Sequence, residues 1–171
     1  MQTKPLTSKE YFKGIKIVHF ALVAGLVFFA LITLFLLQVG KLDMEGQGLI
    51  NVFIFILPLF VVAGIIASQV MFKIKLKEVK KKINLSEKLI DYRSALIVRY
   101  ALLEGPSFFA IVVYMFTGEL MFLGMAVLII LIFLFISPSA EKAGNDLELG
   151  QKEKQLLADP NAVVGNISFE K

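Results

Sequence analysis

"QVMFKIKLKEVKKKINLSEKLIDYRSALIVRY", Gln69 to Tyr100, decides how the chain folds, because it joins two apolar runs through a basic block with its own periodicity. Phe72, Leu76, Val79 and Ile83 recur at +4, +7 and +11, the stripe of one helix face, with lysines on the other faces. Asn84 then offers an N-cap, and Glu87 stands three residues on, a capping-box signal for a new helix. Leu85, Leu89, Tyr92 and Leu96 repeat the helical spacing on the way back. The block therefore predicts a short antiparallel helical hairpin, 73–93, packed along its apolar stripes and basic outside.

Outward from the hairpin, Leu49–Phe72 and Ser94–Thr117 are apolar, and Ile15–Val39 and Leu120–Ile136 flank them. About 20 apolar residues at 1.5 Å each cross a hydrocarbon core of about 30 Å. Four transmembrane helices are expected: an all-α membrane protein of two antiparallel hairpins, with spans 2 and 3 extended into a cytoplasmic helical hairpin. The first run is longer than a signal-peptide core and lacks an Ala-x-Ala pattern, so it reads as a retained anchor. The chain divides into an N-terminal arm (1–14), a four-helix transmembrane domain (15–138) and a C-terminal tail (139–171).

Composition agrees. Of 171 residues 57% are hydrophobic, and only 19% are charged, against about 45–50% apolar in soluble domains; the mean hydropathy is +0.78. The chain has no Cys and one His, His19, which removes thiol chemistry and a histidine metal site. The net charge of +4 comes from basic residues beside apolar runs, which points to lipid headgroups and topology, not nucleic acid. Lys4, Lys9, Lys13 and Lys16 stand before or at the start of the first span, against Glu10, and seven lysines with Arg93 occupy the central block. The other side has "GKLDMEGQG", with its single Lys41, and the tight turn "TGEL". The positive-inside bias places both termini in the cytoplasm.

Short outer loops make spans one and two, and spans three and four, antiparallel neighbours. The small pairs Ala21/Gly25 and Gly64/Ser68 would let backbones approach closely. In the tail, four Lys oppose six Asp and Glu; Leu147, Leu149, Leu156 and Leu157 mark a short helix interrupted by Gly150 and ended by Asp159-Pro160, with a loose or partner-bound terminus. The "NIS" sequon at Asn166 falls on the cytoplasmic side, where glycosylation does not occur.

Depth sorts the polar residues within the spans. Twenty residues counted from the outer ends put the cytoplasmic boundaries near Phe20, Gln69 and Val98, so His19, Gln69 and Arg99 stand at the edge. Arg99 can snorkel to headgroups. Glu104 lies about 9 Å deeper, and carboxylates at that depth face a protein interior or a water-filled cavity. Tyr100, at i−4, is its better local hydrogen-bond partner than Arg99, and Ser107 lies within the same turn. Pro106 frees the carbonyl of Leu102, and Pro58 that of Ile54, as in the broken helices of transporters. The ion-binding candidates are Glu104, Tyr100 and Ser107, the helix-kink candidates Pro106 and Pro58, and the basic interaction surface Lys77, Lys80, Lys81 and Lys82.

The run "YRSALIVRYALLEGPSFFAIVVYMFTGELMFLG", with the later "KAGNDLEL", resembles a family of small, functionally uncharacterised four-span bacterial inner-membrane proteins. That resemblance implies the fold and a bacterial inner (plasma) membrane location, and no activity. Locally, "ALLEGPSFFAIVVYM" is similar to the ion-carrying helix of rotary ATPase proteolipid subunits, which implies an ion-binding role for Glu104 alone. The glycine-rich partner helix of that family has no counterpart, Gly25 being the one glycine within 15–39.

No G-x-S-x-G, H-E-x-x-H, Walker A or G-x-G-x-x-G pattern occurs, and no cofactor or metal is implied. Two functions remain open. One is a non-enzymatic scaffold or subunit of a membrane complex, with anionic lipid headgroups, a membrane-protein partner or a homo-oligomer as its contacts. The other is a small proton- or cation-coupled carrier or channel in which Glu104 binds the ion.

Overall fold

The computed structural model of the chain describes residues 2–40 and 48–169, with residues 2–4 and 166–169 described by their backbone only. Its order is β1 (Gln2–Thr7), α1 (Ser8–Gln38), α2 (Ile50–Lys80), α3 (Leu85–Thr117), α4 (Leu120–Phe135), α5 (Ala140–Asp146), α6 (Gln151–Ala158) and β2 (Val163–Phe169). Among the described residues the fold is all-helical, 83% helix in six helices, apart from one antiparallel ribbon of β1 with β2. Helices α1, α2 and α3, of 31, 31 and 33 residues, are long and apolar enough to cross a membrane. Helix α4 has 16 residues and passes the same test only together with α5. The loop with Lys41 lies outside the described residues.

The residues gather into two compact units, one of Met1–His19, Met71–Val98 and Ser137–Lys171, the other of Phe20–Val70 and Arg99–Ile136. In the first, the end unit, the hairpin of α2 and α3 turns over Lys81–Asn84. Phe72, Leu76, Val79, Leu89, Tyr92 and Leu96 are buried along its seam, and the Phe72 and Tyr92 rings lie 6.2 Å apart. Ile83 departs from the expected stripe and is 90% exposed, because α2 has ended at Lys80 and the helical period does not reach it. Asn84 caps α3 with its carbonyl, which accepts from Lys88 N at 3.0 Å, while its side-chain amide donates to Glu87.

Both chain ends fold onto this hairpin. Thr7 and Glu10 form a reciprocal capping box at the start of α1. The next N–H groups donate outward, Ser8 N to the Ala162 carbonyl (2.9 Å) and Lys9 N to that of Pro160 (3.1 Å), so orphan donors of the helix are satisfied by the tail. Ser8 Oγ donates to the Leu157 carbonyl, Tyr11 Oη to that of Leu89, and Tyr92 Oη to Asp146 Oδ2 at 2.9 Å. The terminus, expected to be loose or partner-bound, contains residues 163–169, which pair with residues 2–7.

The tail forms two helices where one interrupted helix is expected. Helix α5 ends in a Schellman motif: Leu149 N donates to the Gly144 carbonyl and Glu148 N to that of Asn145. Glu148 occupies the left-handed position at φ 51° that glycine usually takes. Gly150 is the N-cap of α6, and Asp159 its C-cap just before Pro160. Leu147, Leu149 and Leu157 are buried, and Leu156 is exposed.

In the second, apolar unit, α3 is the most enclosed helix, with 44% of its apolar window buried against 22% for α1 and 17% for α2. Its buried face, Tyr100, Leu103, Ser107, Ala110, Ile111 and Tyr114, follows the helical period. Helix α4 answers with Phe122, Ala126, Ile129, Ile130 and Phe133. Gly118, at φ 72°, makes the expected tight turn between α3 and α4.

Candidate functional site

Glu104 sits on α3 in the apolar unit, one position beyond the buried Leu103 and beside the exposed Gly105, which leaves it half-buried at the margin of the packed face. Its carboxylate makes no hydrogen bond or ion pair among the described residues. The residues expected to join it point elsewhere. Tyr100 is fully buried and stacks at a tilt on Phe133 of α4, with centroids 5.3 Å apart. Ser107, also fully buried, donates to the Ala126 carbonyl of α4 at 3.3 Å. Tyr100, Glu104 and Ser107, at i, i+4 and i+7, lie within about 60° of one another around the helix, but Tyr100 and Ser107 are taken up by α4 while Glu104 stands half-buried at the margin of that face. The structure does not assemble these three side chains into one site.

Pro106 is buried and Pro58 half-buried, and α3 and α2 are each continuous through them. What Pro106 does is set the approach of α2. A Cβ built on Gly64 would lie 2.4 Å from Pro106 Cγ and 3.1 Å from the Leu102 carbonyl oxygen, the one the proline leaves without its helical donor. Gly64 therefore permits close approach, and its partner is α3. Gly25 meets nothing within 4 Å. Around the contact, Phe109 packs edge-on against Phe53 and Phe60 of α2, and Phe108 stacks on Phe29 of α1 at 4.8 Å.

Arg99 Nη2 donates to Gln69 Oε1 at 3.0 Å, so the two residues assigned to the span edge meet each other. His19 is fully buried in the end unit. Among the described residues no group of three His, Asp or Glu side chains could hold a metal ion.

Of the basic surface expected at Lys77, Lys80, Lys81 and Lys82, three members face carboxylates. Lys80 holds Glu148 at 2.7 Å, Lys81 holds Glu78 at 2.8 Å, and Lys82 stands 3.8 Å from Glu87 and 3.7 Å from Asp91. Lys88 adds a pair with Glu153 at 3.2 Å. The hydrogen bond and charge of Lys80 hold the Glu148 carboxyl below the usual carboxylate range. The Lys80–Glu148 and Lys88–Glu153 pairs join the basic hairpin to the acidic tail, a pairing that sequence reasoning missed although their opposite net charges signalled it.

The fold defines a class, a helical protein whose apolar helices are compatible with multiple passes through a membrane. Comparison with protein-family models, curated proteins and solved structures gives no match to the chain.

Proposed function

We propose that the chain is a multi-pass protein of the bacterial inner membrane, with both termini cytoplasmic, that acts without catalysis as a scaffold or subunit of a membrane complex. The observation that carries the membrane placement is the apolar surface left open on α1 and α2. Phe28, Phe35, Phe55 and Leu59 are 66%, 62%, 78% and 72% exposed. Contiguous apolar surface on this scale calls for lipid or partner helices. The scaffold role draws on the end unit, where the two termini and the hairpin are bound together by side-chain hydrogen bonds and ion pairs. Such a unit presents a fixed surface for a partner.

Alkaline extraction of membranes from expressing cells, followed by gentle detergent purification, tests both parts. The protein stays in the pellet and then elutes with a stoichiometric partner or as a defined oligomer. Release by alkali rejects the membrane placement, and a lone monomer rejects the scaffold. A second reading, an ion carrier, is favoured by one observation, the half-buried carboxylate of Glu104 without a partner among the described residues. Proton or cation flux in proteoliposomes that is abolished by Glu104→Gln would establish it.

A further inference from the structure

The hairpin of α2 and α3 sorts its cations by position. Lys80, Lys81, Lys82 and Lys88 face the carboxylates of Glu148, Glu78, Glu87, Asp91 and Glu153. They lie nine or more residues along the helices and turn from Met71 or Val98, where α2 and α3 pass out of the end unit. Closer in, Lys73, Lys75 and Lys77 stand two, four and six residues beyond Met71, and Arg93 five before Val98. None of these four has an ion pair or side-chain hydrogen bond among the described residues, and all are exposed or half-exposed. On α1 the same window holds Lys13 and Lys16, exposed, six and three residues before His19. On the end-unit side, within six residues of these points, the three helices carry no Asp or Glu.

Six residues of helix are about 9 Å. The polar headgroup region of one leaflet is about 5–8 Å deep, from a total of 40–45 Å less a 30 Å core. A cation in that layer meets lipid phosphates, and one beyond it meets water unless the protein supplies an acid. The pairing pattern has this division built in. On the membrane reading proposed above, we infer that Lys13, Lys16, Lys73, Lys75, Lys77 and Arg93 form a binding belt for anionic phospholipid headgroups. The lysines at 80–82 belong to the fold of the end unit.

The chain has no Trp, so Ile17→Trp, at an exposed position next to Lys16, gives a single reporter. The protein is reconstituted in phosphatidylcholine vesicles containing either brominated phosphatidylglycerol or brominated phosphatidylcholine. The ratio of quenching reports local preference. One cation near an anionic surface contributes a factor of about five, so the parent should favour phosphatidylglycerol at least about fivefold. Replacing Lys13, Lys16, Lys73 and Lys77 by Gln brings the ratio close to one. Replacing them by Arg keeps it, and so does the charge-matched change of Lys80, Lys81, Lys82 and Lys88 to Gln. Equal loss in the two Gln sets, or no preference in a parent that floats with the vesicles, overturns the belt alone. A parent that fails to float with either vesicle overturns the membrane reading and the belt with it.

Discussion

Gly64→Ala adds one methyl group at the closest helix approach in the apolar unit. The new Cβ would stand 2.4 Å from Pro106 Cγ, where carbon atoms rest at about 3.5–4.0 Å, a shortfall of about 1.1 Å or more. Neither neighbour can turn aside, since the proline ring is fixed to the backbone and the second contact, at 3.1 Å, is the Leu102 carbonyl. The helices must separate, and overpacking of this kind costs about 1–3 kcal/mol. Against it runs the gain of about 0.8–1.0 kcal/mol from alanine over glycine inside a helix. Gly25→Ala, in the same unit with nothing within 4 Å, carries that gain alone. Reversible unfolding in mixed detergent micelles should therefore place Gly64→Ala below Gly25→Ala by about 1–3 kcal/mol. Adding Pro106→Ala should recover part of the loss, a coupling expected only between residues in contact. Equal stability of the two alanine variants, or strict additivity with Pro106→Ala, refutes the packing argument.

Tyr92→Phe removes a hydrogen bond to the Asp146 carboxylate from a ring only 1% exposed. Thermal unfolding should register a loss of about 1.5 kcal/mol, the low end for a bond to a charged group. Glu148 has its carboxyl pKa lowered by Lys80, so its contribution is present above the unfolded pKa and is lost as pH falls through the folded one. The acid limb of a Tm–pH profile should accordingly be shallower in Glu148→Gln. Glu104→Leu should raise stability in a bilayer, because it removes a carboxylate that is costly at membrane depth and breaks no bond among the described residues; a fall in stability would reveal a partner.

Helix positions were legible because long apolar runs and 3.6-residue stripes depend on local sequence alone. The depth count placed boundaries near Phe20, Gln69 and Val98, and the division between the two units falls within one or two residues of each. Asn84, Gly118 and Asp159-Pro160 marked their turns through local backbone chemistry. What escaped was long-range. Pairing of residues 2–7 with 163–169 joins opposite ends of the chain, and no periodicity in either announces the other. The "TSKE" at Thr7–Glu10 is a capping box readable from local sequence, and it starts α1 seven residues before the apolar run. Tyr100, Glu104 and Ser107 lie within two turns, but α4 engages only Tyr100 and Ser107, a long-range contact that local sequence does not announce.

The central claim is that the chain crosses the membrane several times with its hairpin and tail on the cytoplasmic side. Because there is no native cysteine, single cysteines at Ile83, Asn161, Gly48 and Glu119 can be probed one at a time with a membrane-impermeant maleimide. Ile83→Cys and Asn161→Cys should label only after the inner membrane is opened, and Gly48→Cys and Glu119→Cys in intact cells whose outer barrier is permeable to the reagent. Labelling of Ile83→Cys and Gly48→Cys from the same side would contradict the account.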